Sequence, residues 1–196
     1  MIPRRLLIAL GVLVVASILM TNYAFRLKRR VEDPERLRVH TRPVSPPGTG
    51  PAQSVTLWVA YDEDGTIRSR QVQAALANEP TERTKQILRL LFAAYLERRS
   101  PHPIGDGSDV RDVFKLNDDT LVIDLNAPFA DAHRSGAFVE ELTMLSILES
   151  LSTNVPKISH VKFLVDGKER ETLAGHIDLH NYYDLAVATQ AAKELQ

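Results

Sequence analysis

The chain has 196 residues, 44% hydrophobic and 25% charged, with a formal net charge of −1, a composition that excludes collagen-like, low-complexity and wholly disordered proteins. It contains no cysteine, which excludes disulfides, thiolate metal sites, cysteine nucleophiles and a lipidated N-terminal cysteine. Residues 1–53 carry nine Lys or Arg against three Asp or Glu, whereas residues 54–196 carry fifteen against twenty-two, so the larger, acidic part is a poor match for nucleic acid and we expect no such partner.

A membrane anchor is predicted close to the N-terminus. After a short N-terminal end at 1–5, residues 6–25 are uncharged and mostly apolar, and Arg5 and Arg26 bound them. About twenty helical residues cross the roughly 30 Å hydrocarbon core of a bilayer. We therefore expect an uncleaved transmembrane signal-anchor over 6–25. A cleaved signal peptide is the main alternative, although no small-x-small cleavage pattern follows the apolar run, and a buried helix of a soluble protein is the other.

A basic tether, residues 26–53, is expected to follow the anchor. It contains five prolines and no apolar periodicity, which predicts an extended spacer. Its arginines either contact anionic lipid headgroups or form an ordinary solvated juxtamembrane charge. Four basic residues at 26–30 outnumber Arg4 and Arg5, so the local positive-inside count would hold the C-terminal domain in the cytoplasm.

A folded domain is predicted over 54–183. Alternation at 55–61 predicts a strand, and residues 67–76 are expected to form a weaker strand or an irregular stretch. Helical spacing of apolar residues predicts a first helix that Thr81 caps. Turn residues at 117–119 predict a hairpin between strands at 110–116 and 120–126.

The second half of the domain is expected to contain another helix and further strands. Ser135 is predicted to cap a helix that runs to about residue 153, with Phe138, Leu142, Leu145 and Leu148 toward the sheet. Asp166-Gly167 predicts a hairpin. The remaining predicted segments are strands at 158–165, 168–173 and 177–179 and a flexible or weakly helical tail at 184–196. The resulting fold class is α+β, with two helices packed on one face of a mixed, mostly antiparallel sheet.

His176, Asp178 and His180 form the most noticeable polar pattern. At spacing two on a strand, their side chains would share one face and could offer imidazoles and a carboxylate to zinc. The favoured interpretation places Ile177 and Leu179 on the buried face and the polar residues in solvent, as a candidate interaction surface.

Other chemistry-bearing patterns are incomplete. Asp62 and Asp64 lack the remaining ligands of a calcium loop, and Asp118-Asp119 belongs to an exposed turn. His133 and Ser135 lack the G-x-S-x-G context of a nucleophile, and no P-loop, G-x-G-x-x-G or H-E-x-x-H occurs. We therefore predict no catalytic, cofactor-binding or metal-binding residue, and not an enzyme.

Several segments resemble, in order, the GerMN domain of sporulation and spore-germination proteins. The most specific are FLVDGKE at 163–169 and LAGHIDL at 173–179. Weaker similarities are VTLWVAY at 55–61, ILRLL at 87–91, TLVIDLN at 120–126, HRSG at 133–136 and EEL at 140–142. Asn126 stands where many members have Ser, and Trp58 lies in a strand that usually closes with Phe or Tyr.

The resemblance implies a compact α/β module without catalytic activity, on the outer side of the inner membrane, against the local arginine count. It also implies a membrane-tethered scaffold of the bacterial cell envelope that binds a protein partner or a second copy of itself. The alternatives are a cell-wall hydrolase, for which the sequence offers no nucleophile and base, and a peptidoglycan-binding module, for which exposed aromatics are few.

Overall fold

The structure is a computed structural model, which describes Met20 and residues 51–196. The predicted N-terminal end, the anchor at 6–25 apart from Met20, and the tether up to residue 50 lie outside the described residues. Residues 51–196 belong to one compact unit. Among the residues described, no helix has both the length and the hydropathy required to span a bilayer.

A β-hairpin opens the domain. β1, Gln53–Tyr61, pairs antiparallel with β2, Thr66–Ala74, in a register that runs from Gln53 opposite Ala74 to Tyr61 opposite Thr66 without a shift. Gly65 closes the turn with a φ of 64°, a left-handed conformation that glycine adopts at little cost. The second strand, expected to be weak, is as long as the first.

The first helix begins two positions earlier than a Thr81 cap would require. α1 spans Pro80–Tyr95, and the carboxylate of Glu79 accepts the backbone N–H of Glu82 at 2.9 Å. Pro80 fits the first helical position because its missing N–H would have had no partner there. The prediction that Thr81 caps this helix is therefore wrong.

A separate four-stranded sheet has the order β3-β4-β5-β6. Its strands are Val110–Lys115, Thr120–Leu125, His160–Val165 and Tyr183–Asp184. The hairpin β3–β4 is antiparallel as predicted, β4 and β5 are parallel, and β6 pairs antiparallel with β5. The α+β class is confirmed, but the expectation of a single sheet is wrong because β1–β2 forms a sheet of its own.

The Asp166-Gly167 turn forms, but the predicted strand after it does not. Both residues have positive φ, and Val165 and Lys168 exchange backbone hydrogen bonds of 2.9 and 3.1 Å. The chain then leaves the sheet, since β4 occupies one edge of β5 and β6 pairs with the other edge at His160 and Val161. Residues 168–173 and 177–179 are accordingly not strands, and only single bridges occur there.

Two helices link β4 to β5. The short α2, Ala127–Asp131, was not predicted, and Asn126 caps it by accepting the N–H of Phe129. α3 spans Ala137–Asn154, and residues 142–151 are buried without exception. A helix buried on all sides lies within the core instead of covering one sheet face.

The start of α3 departs from the prediction in two respects. Its N-cap is Gly136, and no side chain caps it, so Ser135 is not the cap. Phe138 is 48% exposed, outside the core that Leu142, Leu145 and Leu148 join. It packs on the β1–β2 turn, where a Cβ on Gly65 would come within 2.7 Å of its ring.

One face of α3 carries small polar residues, two of which bond to the backbone of β1. We call Thr143, Ser146, Ser150 and Asn154 the polar spine. Ser150 accepts the N–H of Trp58 at 2.8 Å, and the Asn154 side chain bonds both the N–H and the C=O of Thr56, at 3.3 and 2.7 Å. These side chains occupy the edge of β1 that another strand would need, which explains why the hairpin stays separate from the larger sheet.

A final helix, α4, spans Leu185–Lys193, within the segment expected to be flexible or weakly helical. The Asp184 carboxylate accepts the N–H groups of Ala186 and Val187 at its start. Three of its residues join the core, namely Leu185, Ala188 and Ala192. The ordered fold therefore continues beyond residue 183.

Candidate functional site

The three candidate residues lie in a loop between β5 and β6. We call residues 169–182 the signature loop. His176, Asp178 and His180 are exposed, whereas Leu179 is fully buried. The buried Leu179 agrees with the predicted alternation, but the loop contains no strand, so the idea that three side chains share one strand face is wrong.

Glu140, on the first turns of α3, replaces a neighbouring strand as the hydrogen-bond partner of this loop. Its Oε2 accepts the backbone N–H groups of Ala174, His176 and Ile177 at 3.0 to 3.1 Å. Its Oε1 lies 2.9 Å from Nδ1 of His176 and also accepts the N–H of Gly136 at 3.2 Å. The carboxylate therefore ties the loop to the helix.

The electrostatics of Glu140 follow from these contacts. The side chain has no solvent exposure, and burial alone would raise its pKa. Hydrogen bonds from the backbone of Ile177, the His176 ring and further backbone N–H groups outweigh burial and lower the pKa of Glu140 to about 2. A carboxylate that accepts several N–H groups is stabilised in its charged form, so Glu140 is ionised at neutral pH.

Lys162 of β5 holds the other half of the loop. Its side chain is 6% exposed, and its Nζ donates to the carbonyl of His180. The same ammonium lies 3.5 Å from the Glu169 carboxylate and 5.8 Å from the centre of the Tyr182 ring. A buried cation thus finds a carbonyl, a carboxylate and an aromatic face within one loop.

Asp178 shapes the turn that precedes β6. Its carboxylate accepts the N–H of His180 at 2.5 Å and the Asn181 amide at 2.6 Å. Its own carbonyl accepts the hydroxyl of Tyr183. The hydrogen bond from the His180 backbone is the main cause that lowers the pKa of Asp178.

The candidate residues are not arranged as a metal site. The rings of His176 and His180 approach different carboxylates, Glu140 and Glu169, at 2.9 and 3.8 Å. Within residues 51–196 and Met20, no group of three or more His, Cys, Asp or Glu side chains is placed to hold a metal ion.

A second cluster fixes the Asp166-Gly167 turn that precedes the signature loop. The largely buried carboxylate of Asp124 accepts the Gly167 N–H at 2.7 Å and pairs with Arg111 at 3.2 Å. Arg111 also reaches Asp166 at 2.9 Å. Asp124 lies in the segment 120–126 and Asp166 in the segment 163–169, both of which resemble GerMN. These contacts therefore join two motifs that are far apart in the sequence.

Sequence reasoning also missed a buried polar network between the β1–β2 turn and α3. The ring of His102 has no exposure, and it lies 2.5 Å from the Asp62 carboxylate through Nδ1 and 2.6 Å from the Thr143 hydroxyl through Nε2. His133 reaches the same hydroxyl at 2.8 Å. Arg134 completes the network by pairing with Asp62. Burial lowers the pKa of both histidines.

Thr143, His102 and Asp62 follow one another like the nucleophile, base and acid of a catalytic triad. The burial of these side chains argues against a catalytic role. Thr143 and His102 are both 0% exposed, so a substrate has no route to the hydroxyl in this conformation. The contacts instead join the loops around residues 62, 102 and 133 to α3. Asp62 is held by His102 and Arg134, and Asp64 pairs with Arg68, in the turn that the sequence predicted at this position.

Several solved structures align with this chain, and three of them have 14–17% sequence identity. A candidate lipoprotein from Clostridium perfringens is 17% identical with a TM-score of 0.47, covering 72% of this chain and 92% of that one. The first GerMN domain of the Bacillus subtilis sporulation protein GerM is 16% identical with a TM-score of 0.48, covering 65% and 92%. The tandem GerMN domains of GerM are 14% identical with a TM-score of 0.49, covering 68% and 46%.

A comparison with curated protein sequences gave no significant match. The profile of the family described as "Germane: Sporulation and spore germination" matches residues 56–171. That match covers more than half of the chain, from β1 into the signature loop, and agrees with the resemblance of its ordered motifs. The chain belongs to the GerMN-domain family of sporulation and spore-germination proteins.

Proposed function

We propose that this protein is a non-catalytic interaction module of the bacterial cell envelope. Residues 6–25 would anchor it in the inner membrane, the tether would separate the domain from the bilayer, and the domain would bind a protein partner or a second copy of itself outside the cytoplasm. Membership of the GerMN family and the long apolar run near the N-terminus support this proposal.

The observation that carries the proposal is the fixed backbone of the exposed signature loop. Glu140 holds its centre from α3 and Lys162 holds its end from β5, while His176, Asp178 and His180 remain exposed. A surface that is already ordered loses less conformational entropy when a partner binds. The loop therefore suits recognition better than a mobile segment would.

The side chains of the loop match the composition of protein interfaces. Tyr182 is 55% exposed beside His180, and exposed tyrosines commonly supply both apolar area and a hydrogen bond at interfaces. We propose that His180, Asp178 and Tyr182 contact the partner, with His176 at the border because its ring already binds Glu140.

The test compares two exposed histidines in the full-length chain in native cells. A photo-crosslinking residue at position 180 is expected to give a discrete adduct, and the same residue at His160, whose side chain is 42% exposed on β5, is expected to give none. His180→Ala should then reduce recovery of the identified partner at least fivefold, and His160→Ala should not. Asp178→Asn keeps the acceptor for the His180 N–H and removes both the charge and the acceptor for the Asn181 amide.

Three results would reject this proposal in favour of other functions. Equal adducts at positions 160 and 180 would show that the loop is not the contact surface. Crosslinks to peptidoglycan in place of protein would favour a wall-binding module. Turnover of wall fragments by the purified chain, abolished by a single His or Asp substitution, would favour a hydrolase.

A further inference from the structure

The outer edge of β2 has an identifiable set of backbone groups. On β1, the N–H groups of Thr56, Trp58 and Ala60 point away from β2 and bond to side chains of α3 and α1. Their antiparallel partners on β2 are Gln71, Ser69 and Ile67. Residues opposite one another in a non-hydrogen-bonded pair both direct their backbone groups outward, so these positions line the free edge of β2.

Among the described residues, this edge is occupied at one end only. The N–H of Ile67 donates to the carbonyl of Leu195 at 2.8 Å, just after α4. No backbone hydrogen bond joins the outward groups of Ser69, Gln71 and Gln73 to any other residue that the structure describes. Exposed edges are usually shortened, bulged, interrupted by proline or protected by charged side chains. β2 has nine residues, an unshifted register and no proline, so its exposed arginines are its only such feature.

The charge of the edge indicates what kind of strand would pair with it. Arg68 and Arg70 are exposed on β2, which contains no acidic residue. Arg68 pairs with Asp64 and covers the Tyr61 ring at 4.7 Å, whereas within residues 51–196 no ion pair involves Arg70. Pairing two β2 edges would bring like charges together.

We propose that the β2 edge binds an acidic, extended segment of a protein partner as an added β-strand. The backbone groups of Ser69, Gln71 and Gln73 supply the hydrogen bonds, as in other cases of strand addition, and Arg70 supplies the preference for acidic side chains. This inference rests on the proposed function in that it names the chemistry of a partner, but it uses a surface distinct from the signature loop.

The test uses full-length protein in detergent micelles and a fluorescent nonapeptide of alternating valine and glutamate, compared with one of alternating valine and lysine. We expect the acidic peptide to bind at least tenfold more tightly and to slow hydrogen exchange of the amides at 69, 71 and 73. Gln71→Pro, which removes an outward N–H, should weaken binding at least tenfold. Gln71→Ala, which removes the same side chain and keeps the N–H, should bind like the original protein.

A charge variant keeps the test valid if the proline substitution unfolds the hairpin. Arg70→Glu changes an exposed side chain and should reverse the preference between the two peptides. Equal binding of both peptides, no effect of Gln71→Pro in a folded protein, or exchange protection elsewhere would overturn the proposal. Dimerisation that Gln71→Pro abolishes would replace the acidic partner with a second copy. If the peptide test failed but crosslinking at position 180 succeeded, this inference would be rejected and the proposed function would stand.

Discussion

At the scale of single residues, Glu140 stabilises the part of the domain that carries the family motif. Five donors converge on its two oxygens, and four of them are backbone N–H groups. Those backbone groups would otherwise be partly buried without partners, which costs free energy. The carboxylate is therefore needed as an anion and an acceptor, and its replacement should affect the signature loop first.

Glu140→Gln should lower the free energy of unfolding at pH 7 by about 3 kcal/mol, because a pKa near 2 against an ordinary value of 4.5 corresponds to that much stabilisation of the ionised form. The contribution is complete above about pH 5 and declines as pH falls toward 2. Urea unfolding of both proteins between pH 7 and pH 3 should show the difference shrinking by more than half. The exposed neighbour variant Glu141→Gln is the control, and a pH-independent difference would contradict this account.

At the scale of elements, α3 acts as a structural substitute for a strand at the edge of β1. Its polar spine recurs every three or four residues, so the four side chains share one helix face. Ser146 bonds the Tyr95 hydroxyl, which in turn accepts the N–H of Ala60. Each outward N–H of β1 from Thr56 to Ala60 thus reaches the helices through a side chain.

Asn154→Leu should lower the free energy of unfolding by about 1–3 kcal/mol, since it leaves the N–H and C=O of Thr56 without their side-chain partner while adding only apolar volume. Thermal or urea denaturation would measure the loss. Asn154→Asp separates the two contacts because it retains an acceptor for the N–H and removes the donor to the carbonyl. If the leucine variant were as stable as the original, the spine would not be what holds the hairpin.

At the scale of the whole molecule, the contrast between the basic residues 1–53 and the acidic residues 54–196 bears on membrane topology. The basic residues at 26–30 favour a cytoplasmic domain by local counting, whereas the proposed function requires a position outside the cytoplasm. An acidic domain behind a basic tether would be kept off an anionic bilayer surface, since like charges repel. The orientation therefore decides which partners can reach the signature loop and the β2 edge.

A topology reporter fused after Gln196 should be active as alkaline phosphatase and dark as a green fluorescent protein, because we expect the domain outside the cytoplasm. The same fusions on a chain that begins at residue 26 are the control and should give the opposite pattern. A fluorescent, phosphatase-negative full-length fusion would show that the arginines at 26–30 determine the orientation. Partners would then have to be sought in the cytoplasm.

The sequence alone determined the features that depend on neighbouring residues. Alternation and turn chemistry located β1 and the β3–β4 hairpin, helical spacing located α1 and α3, and the ordered motifs identified the family. It did not predict α2, because five residues carry too little periodicity. It also underestimated α4, whose buried Leu185 and Ala192 gain stability from packing and not from helix propensity.

Only the tertiary structure decided which polar groups meet. Nothing local shows that Glu140 binds backbone at 174–177, that His102 shares Thr143 with His133, or that Asp124 holds the turn at Gly167. These partners are separated by 10 to 43 residues along the chain. Buried polar groups must find hydrogen bonds wherever packing brings a partner close, so the signature loop is fixed by a helix and a buried lysine, where the sequence had indicated a strand.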